Sequence, residues 1–437
     1  MKKRVVVTGM GVVAANGTGL AAYREALQAG RSGVKRHEHL QKLKFSCQIG
    51  GIPDLSEEDI VKVIPEPEFR KLGEAQVYAA LAAVECARSA GLKVDLFNGF
   101  KDTAVDWNTG VIMGCGIGGM DTIFEEMGPA MAEAEAADPG RGPAAMGTDV
   151  VPKIMGSSAS VAVGRFLGLG NLTSSNSAAC NTGTEAVFAG YNHLQLGYAD
   201  AMYVGGTEGS HYGIWAGFDA MRDVLCSKFN ETPERGSQPM GAMACGFVPG
   251  SGAAVLRIET LEAAQKRGAP ILAELVSAFC NSGGQRDGGS MTFPNPEGVT
   301  RCIRRVLQEA GVAPSQLSLI NGHLTSTGAD PQEVGSWLKA LELPPEKFPL
   351  IQSTKSMIGH GLGAAGALES AACVDQLQQG YVHPSINCEE THPRIQPVAG
   401  SIPRARLDRR LEYVIKASFG FGDVNGCLLF KRWDGRS

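Results

Sequence analysis

Short runs of aliphatic and β-branched residues alternate along the whole chain with longer Ala- and Leu-rich stretches of helical period. This alternation limits the fold more than any other feature of the sequence. "RVVVTG", "GVIMG", "AMYVGG", "AAVLRIE", "AELVSAFC", "PLIQST" and "YVIKASFG" read as strands. "GLAAYREALQAG", "EAQVYAALAAVECARSAG", "TEAVFAGYNHLQLG", "EGVTRCIRRVLQEAG" and "GALESAACVDQLQQG" read as helices. Nearly continuous apolar strands belong to sheets covered on both faces, and strand–helix alternation builds such sheets. The fold class is α/β.

A chain of 437 residues is too long for one simple core. "TLEAAQKRGAP" separates two stretches of similar strand–helix style, so the chain divides into halves at residues 1–259 and 260–437. No period of about 20–50 residues is visible, which argues against a solenoid. "MGPAMAEAEAADPGRGPAAMG" reads as a helix end followed by an irregular excursion.

The opening "MKKRVVVTGMGVVAANG" imitates a secretion signal, but Thr8, Gly9 and Gly11 interrupt its apolar run and a buried first strand fits better. No apolar run reaches about 18 residues, so no membrane span is expected. A net charge of −5 argues against a nucleic-acid partner. Eleven cysteines without a CxxC pair read as reduced thiols of a cytoplasmic protein.

Two glycine patterns, "GMGVVA" and "GCGIGG", invite a dinucleotide reading. That fingerprint also needs a second strand ending in an acid about 20 residues on, to hold a ribose. Here that position falls in a helix for the first pattern and in the Ala/Glu-rich excursion for the second. Close-packed turns are the better account.

"SNSAACNTGTEAVFAGYNHLQLG" carries a different chemistry. "NLTSSNSA" reads as a strand and the Ala-rich stretch after it as a helix. Cys180 therefore sits on the bend at a helix N-terminus, with Asn181 and Thr182 as capping candidates. Free N–H groups and the helix dipole there favour a thiolate and can bind an oxyanion. Ala178, Ala179 and Gly183 leave room to approach the sulfur. Two histidines stand where strands meet loops: His323 in "NGHLTSTG", followed by Thr325 and Thr327, and His360 in "STKSMIGHGLGAAG", after Lys355.

These residues carry a resemblance. "RVVVTGMGVV", "GVIMGCGIGGM", "AACNTG", "VGGTEG", "AGFDAMR", "NGHLTSTG", "STKSMIGHGLGAAG" and "KASFGFGDVN" stand in the order of an elongating β-ketoacyl-acyl-carrier-protein synthase. The resemblance implies the thiolase-like fold, two similar halves in a five-layered αβαβα stack, and a homodimer. It implies a Cys-His-His triad at Cys180, His323 and His360, with the backbone N–H groups of Cys180 and Phe421 as oxyanion hole. Cys180 would take an acyl chain from acyl-carrier protein. Malonyl-acyl-carrier protein would then lose carbon dioxide to give the attacking enolate, with no metal or redox cofactor.

By the same matching, Lys355 and Glu333 would form a charged pair supporting the histidines, and Thr325 and Thr327 would bond the pantetheine arm. Phe421 resembles the gate beside the acyl pocket. Ile117, Ala179 and Phe218 resemble its walls, and Phe419 and Asn425, on either side of the gate, would also contact substrate. Arg70, Lys71 and Arg222 fall where the family meets its acidic carrier protein. Three departures stand out: Leu324 and Asp423 replace glycines, and Ser251 replaces an acid. They point to a specialised substrate. Other readings are a divergent polyketide or secondary-lipid ketosynthase, a non-condensing chain-length-type scaffold subunit, and a nucleotide-dependent oxidoreductase. The intact Cys180, His323 and His360 argue against the scaffold.

Overall fold

The computed structural model describes residues 2–98, 104–137, 143 and 146–435. Its centre is an eleven-stranded sheet, and ten of the strands repeat one pattern twice. The first five are β1 (Val5–Ala14), β2 (Thr109–Cys115), β3 (Thr173–Ser174), β4 (Ala201–Glu208) and β5 (Gly252–Thr260), in the order β3-β2-β4-β5-β1. The second five are β6 (Ala273–Ser282), β7 (Leu317–Asn321), β8 (Leu350–Gln352), β9 (Tyr413–Gly420) and β10 (Val424–Arg432), in the order β8-β7-β9-β10-β6. In each set the first three strands run parallel and the last two pairings are antiparallel. The sets join where Val5, Val6 and Val7 pair antiparallel with Leu275, Glu274 and Ala273.

Among the described helices that pack on these sets are α1 (Glu74–Ser89), α2 (Ser158–Leu167), α3 (Thr182–Gln195), α4 (Pro296–Ala310), α5 (Asp330–Leu341) and α6 (Ala365–Gln379). Successive strand residues point to opposite faces, so each strand feeds two apolar clusters. Leu256 and Ile258 of β5, with Leu428 and Phe430 of β10, meet α3 and α6 between the two sets. Val255 and Ala253 face α1 and α2 on one outer side. Leu429 and Ile415 face α4 and α5 on the other. Helix, sheet, helix, sheet, helix: the five expected layers are present.

All seven strand candidates and all five helix candidates fall on elements of matching type. Helices α2 and α5 and strands β7 and β10 have no counterpart among them. "NLTSSNSA" is the clearest difference, because only Thr173 and Ser174 join the sheet. The polar residues after them are spent on loop bonds: Ser175 Oγ donates to Met113 O at 2.8 Å and Ser177 Oγ to Gly116 O at 3.1 Å. Of the Ala/Gly/Pro-rich segment, Gly128–Ala137 is helical and much of the remainder lies outside the described residues. No helix among the described residues is long and apolar enough to cross a membrane.

Both glycine patterns are accounted for without a nucleotide. "GMGVVA" lies inside β1 rather than on a turn. At "GCGIGG" the loop N–H groups are taken by a protein carboxylate: Gly116, Ile117 and Gly363 donate to Glu208 at 3.1, 2.9 and 2.9 Å.

Candidate active site

Cys180 stands between β3 and α3 on a tight turn. Asn181 N–H and Thr182 N–H bond back to Ala178 O and Ala179 O at 2.9 and 3.1 Å. Thr182 Oγ accepts the Ala178 N–H at 2.8 Å. The turn forces Ala179 to a φ of 47°, a conformation costing about 1–3 kcal/mol in a residue with a Cβ. Asn181 occupies the N-cap position without a side-chain cap bond, and its amide instead points to Cys280 Sγ at 3.9 Å. The expected capping role falls away.

The backbone N–H groups of Phe421 and of Cys180 itself are directed at the sulfur. Gly420 permits this approach, since a Cβ there would lie 3.0 Å from the Cys180 nitrogen and 3.1 Å from that of Asn181. The expected thiolate does not dominate. Burial pushes the Cys180 thiol up to about 11, outweighing the pull of the Phe421 N–H and the Lys355 charge.

His323 follows β7 in a loop held by the first turn of α5. Glu333 accepts the N–H groups of His323 and Leu324 at 2.8 and 2.7 Å, and the Trp337 indole N–H at 3.2 Å. Asp330 accepts those of Thr325, Ser326 and Met240 at 2.8, 3.1 and 2.8 Å. Burial raises Glu333 to about 7 despite these donors. Leu324, at φ 25°, is fully buried in the apolar cluster beneath α5, which explains a side chain at that position.

His360 lies beyond the short helix Lys355–Ile358, and its N–H bonds Val248 O at 2.7 Å. Leu362 N–H donates to His360 Nδ1 at 3.1 Å. Burial first, then the Lys355 charge, holds both imidazoles well below the ordinary histidine range. A neutral ring accepting at Nδ1 carries its proton on Nε2. That His360 Nε2–H is buried without a partner. One ligand atom each of Cys180, His323 and His360 lies within 4.8 Å of the others, and the two rings meet edge to face at 5.3 Å.

The expected Lys355–Glu333 pair is not formed. The buried Lys355 ammonium is bonded to Glu369 of α6 and donates to His323 O at 2.7 Å. Glu369 also pairs with Lys416 of β9 at 2.7 Å. The Glu333 carboxylate is instead bonded to the N–H groups of His323, Leu324 and Trp337 and acts on Lys355 only through its charge. Lys416 and Glu369 went unread in the sequence. Their signal is a charge of each sign inside an apolar strand, "YVIKASFG", and an apolar helix, "GALESAACV".

A cavity of about 240 Å³ opens onto these groups. Cys180, His323, His360, Thr325, Thr327, Glu333, Phe218, Phe419 and Phe421 line it, with Phe247, Thr292, Phe293 and Pro294. The two threonine hydroxyls bond each other at 2.9 Å. Ile117 and Ala179 do not line this cavity. Ile117 stands 38% exposed on the loop over Glu208, and Ala179 is consumed by the turn. Asn425 is also placed elsewhere, buried in the sheet with its amide on Asn281 Oδ1 at 3.1 Å. Ser251 is buried with its hydroxyl 3.5 Å from Gly51 O. Arg222 is exposed beside the cavity-lining Asp223. Arg70 is exposed and paired with Glu57 and Glu66, and Lys71 with Glu68.

The five layers define an α/β protein of the thiolase-like fold, with a strained cysteine turn and a neutral histidine pair at one cavity. The β-ketoacyl synthase N-terminal domain profile matches residues 2–264 and the C-terminal domain profile residues 272–389. The chain belongs to the β-ketoacyl synthase family and is an enzyme. It is 36% identical to 3-oxoacyl-[acyl-carrier-protein] synthase I, chloroplastic, of Arabidopsis thaliana, over 98% of this chain and 86% of the relative. It is 32% identical to 3-oxoacyl-[acyl-carrier-protein] synthase 1 of Escherichia coli strain K12, over 98% and 99%. A β-ketoacyl synthase from Burkholderia phymatum superposes with a TM-score of 0.85 at 28% identity, covering 99% of this chain and all of that one. A type II polyketide ketosynthase solved with its acyl-carrier protein gives 0.85 at 25%, with the same coverage.

Two outcomes follow from the site's electrostatics. Below a pKa of about 11 the reactive thiolate of Cys180 grows about tenfold per pH unit. Iodoacetamide alkylation of Cys180, followed by mass spectrometry, should therefore still be rising between pH 9 and 10; a plateau near pH 8 would contradict the burial argument. Glu369→Gln leaves two buried ammonium groups without their anion. Chemical denaturation should show a loss of about 3–5 kcal/mol, and an unchanged midpoint would show that the lysines shed their protons instead.

Proposed function

We propose that the chain joins an acyl group to malonyl-acyl-carrier protein by decarboxylative Claisen condensation, giving a 3-ketoacyl thioester two carbons longer. The observation that carries this is the unpartnered Nε2–H of a neutral His360, beside His323 and Cys180 at the end of one cavity. Cys180 attacks the acyl thioester. The tetrahedral oxyanion is held by the N–H groups of Cys180 and Phe421, and the carrier's thiol leaves with the cysteine proton. The malonyl thioester then occupies the space between the histidines. Its carboxylate departs as carbon dioxide, and the electron pair left behind forms an enolate whose oxygen accepts from His360 and His323. The enolate carbon attacks acyl-Cys180, and the expelled thiolate regains a proton from solvent.

Uncharged imidazoles suit this task. An imidazolium would hold the malonyl carboxylate in place, whereas a neutral donor favours the charge that develops on the thioester oxygen. Burial, with repulsion from Lys355 and Lys416 added to it, keeps the rings neutral, and the Lys355 bond to His323 O fixes that residue's backbone. Thr325 and Thr327, which line the cavity, would bond the pantetheine arm. Arg222, exposed and next in sequence to the cavity-lining Asp223, would dock an acidic carrier protein together with the exposed Arg70 and Lys71.

The same reading makes the chain one subunit of a homodimer, with N- and C-terminal halves at 1–259 and 260–437, in a reducing, cytoplasmic setting. Exposed Ile123, Phe124, Val151 and Val161 support an interface, since they lie on adjoining helical segments.

Asp423 sets the gate. Its φ of 60° is one that aspartate tolerates, and its carboxylate accepts Gln285 N–H and Asn295 N–H at 2.9 and 2.8 Å. Gly422 N–H donates to Met291 O at 2.7 Å. The Phe421 loop is thereby laced to the segment that brings Thr292, Phe293 and Pro294 to the cavity.

Cys180→Ala should abolish both the acyl adduct in intact-mass spectra and condensation. His360→Ala should still form the adduct while decarboxylation of malonyl thioester falls on the order of 100- to 1000-fold. Near-normal carbon dioxide release would remove the histidine from the mechanism. Asp423→Gly should broaden the acyl chains elongated when short, medium and long acyl-carrier proteins compete. Coincident product profiles would make Asp423 neutral to the gate.

A further inference from the structure

A second sulfur site adjoins the cavity wall. Cys226 Sγ and Cys245 Sγ stand 2.9 Å apart, inside van der Waals contact and about 0.9 Å beyond a disulfide bond length. The segments carrying them run side by side. Cys226 N–H donates to Phe247 O and Phe247 N–H to Val224 O, each at 2.9 Å. Gly246, at φ 126°, brings the two backbones into contact, and a Cβ on it would lie 2.6 Å from the Leu225 carbonyl carbon. Cys226 is fully buried and Cys245 partly accessible. The pair is asymmetric in charge. The Cys226 thiol, with the Lys228 N–H and ammonium, draws Cys245 down to about 7, while Cys226 is raised by its partner and by burial. Cys47 in the same cluster is pushed up to about 12 by burial and is no competing nucleophile.

We propose that Cys226 and Cys245 form a dithiol that low-molecular-weight disulfides oxidise to an intramolecular disulfide, and that this bond clamps the cavity wall. The Cys245 thiolate attacks one sulfur of the small disulfide, whose S–S bond breaks and releases one small thiol. Cys226 then loses its proton, attacks Cys245 Sγ and expels the second small thiol. The protein gives up two electrons, the small disulfide takes them, and the two protein protons end on the two released thiols. The accessible sulfur attacks and the buried one resolves.

The bond would sit two residues from Val224 on one segment and from Phe247 on the other, and both line the cavity. Phe247 packs 5.1 Å from the His360 ring and 5.5 Å from Phe218, which faces Phe421 at 6.1 Å. A covalent tie here removes the freedom of this aromatic stack to part for an acyl chain. This coupling rests on the acyl-transfer reading of the cavity; the disulfide itself does not.

The folded full-length protein should be incubated with glutathione disulfide, alkylated and digested with trypsin. Cleavage after Arg222, Lys228, Arg235 and Arg257 puts the two cysteines in separate peptides. We expect a linked pair of these peptides that dithiothreitol separates. Cys226→Ser should retain a glutathionyl group on Cys245, and Cys245→Ser should leave Cys226 unmodified. Acyl loading of Cys180 by acyl-carrier protein should slow several-fold in the oxidised wild type, recover with dithiothreitol, and stay indifferent to oxidant in Cys245→Ser. Free thiols at both positions after oxidant treatment would overturn the site. A linked pair with unchanged loading would overturn the clamp.

Discussion

A single carboxylate, Glu369, holds the centre of this enzyme together. It comes from α6, between the two sheets, and meets Lys355 from the loop before His360 and Lys416 from β9. All three side chains are fully buried, so each charge lost its water on folding. Their mutual attraction offsets that loss only while the geometry holds. The arrangement carries one more positive charge than negative, and it lies beneath both histidines. Burial disfavours a proton on each ring and the surplus adds to that, so both imidazoles stay neutral. Structural tie and chemical tuning are the same interaction.

The loops around this centre share one physical device. Backbone that converges on a dry cavity carries N–H groups with neither water nor sheet to receive them. Buried carboxylates take them up: Glu208 at the loop after β2, Asp330 and Glu333 at the His323 loop, and Asp423 at the gate. Each carboxylate is shared by two or more donors, so one side chain sets several backbone atoms at once. Burial raises the pKa of Glu208 and Glu333 to about 7 despite those donors. The site is consequently built on short loops yet held almost as tightly as an element of the sheet.

The repeated strand order places these loops together. The Cys180 turn follows β3 and the His323 loop follows β7, and the two sets face each other across α3 and α6. Residues more than a hundred positions apart thereby reach one cavity. Phe218, Phe247 and His360 stack along its wall, and Phe247 lies two residues from Cys245. Reaction centre, gate and dithiol are thus mechanically adjacent, although they come from separate parts of the chain.

The α/β class, the strand and helix periods, and Cys180, His323 and His360 as candidate groups were legible in local pattern, because periodicity and glycine-rich turns are local properties. The five-layered stack followed only from the family resemblance. The partner of Lys355 was not legible. Glu333 and Glu369 are both acids near it in sequence, and only the packing of α5 and α6 decides which one faces the ammonium. The protonation of Cys180 was misjudged for a related reason: a helix start is visible in the sequence, but the burial that outweighs it is not. Ile117, Ala179 and Asn425 could be matched to a motif, yet their side-chain directions depend on a turn, a carboxylate and a strand register that no single stretch encodes. Local pattern determined which elements form and which reactive groups exist. Tertiary contact decided which charges meet, which protons stay and which side chains face the cavity, because desolvation and pairing depend on neighbours far away along the chain.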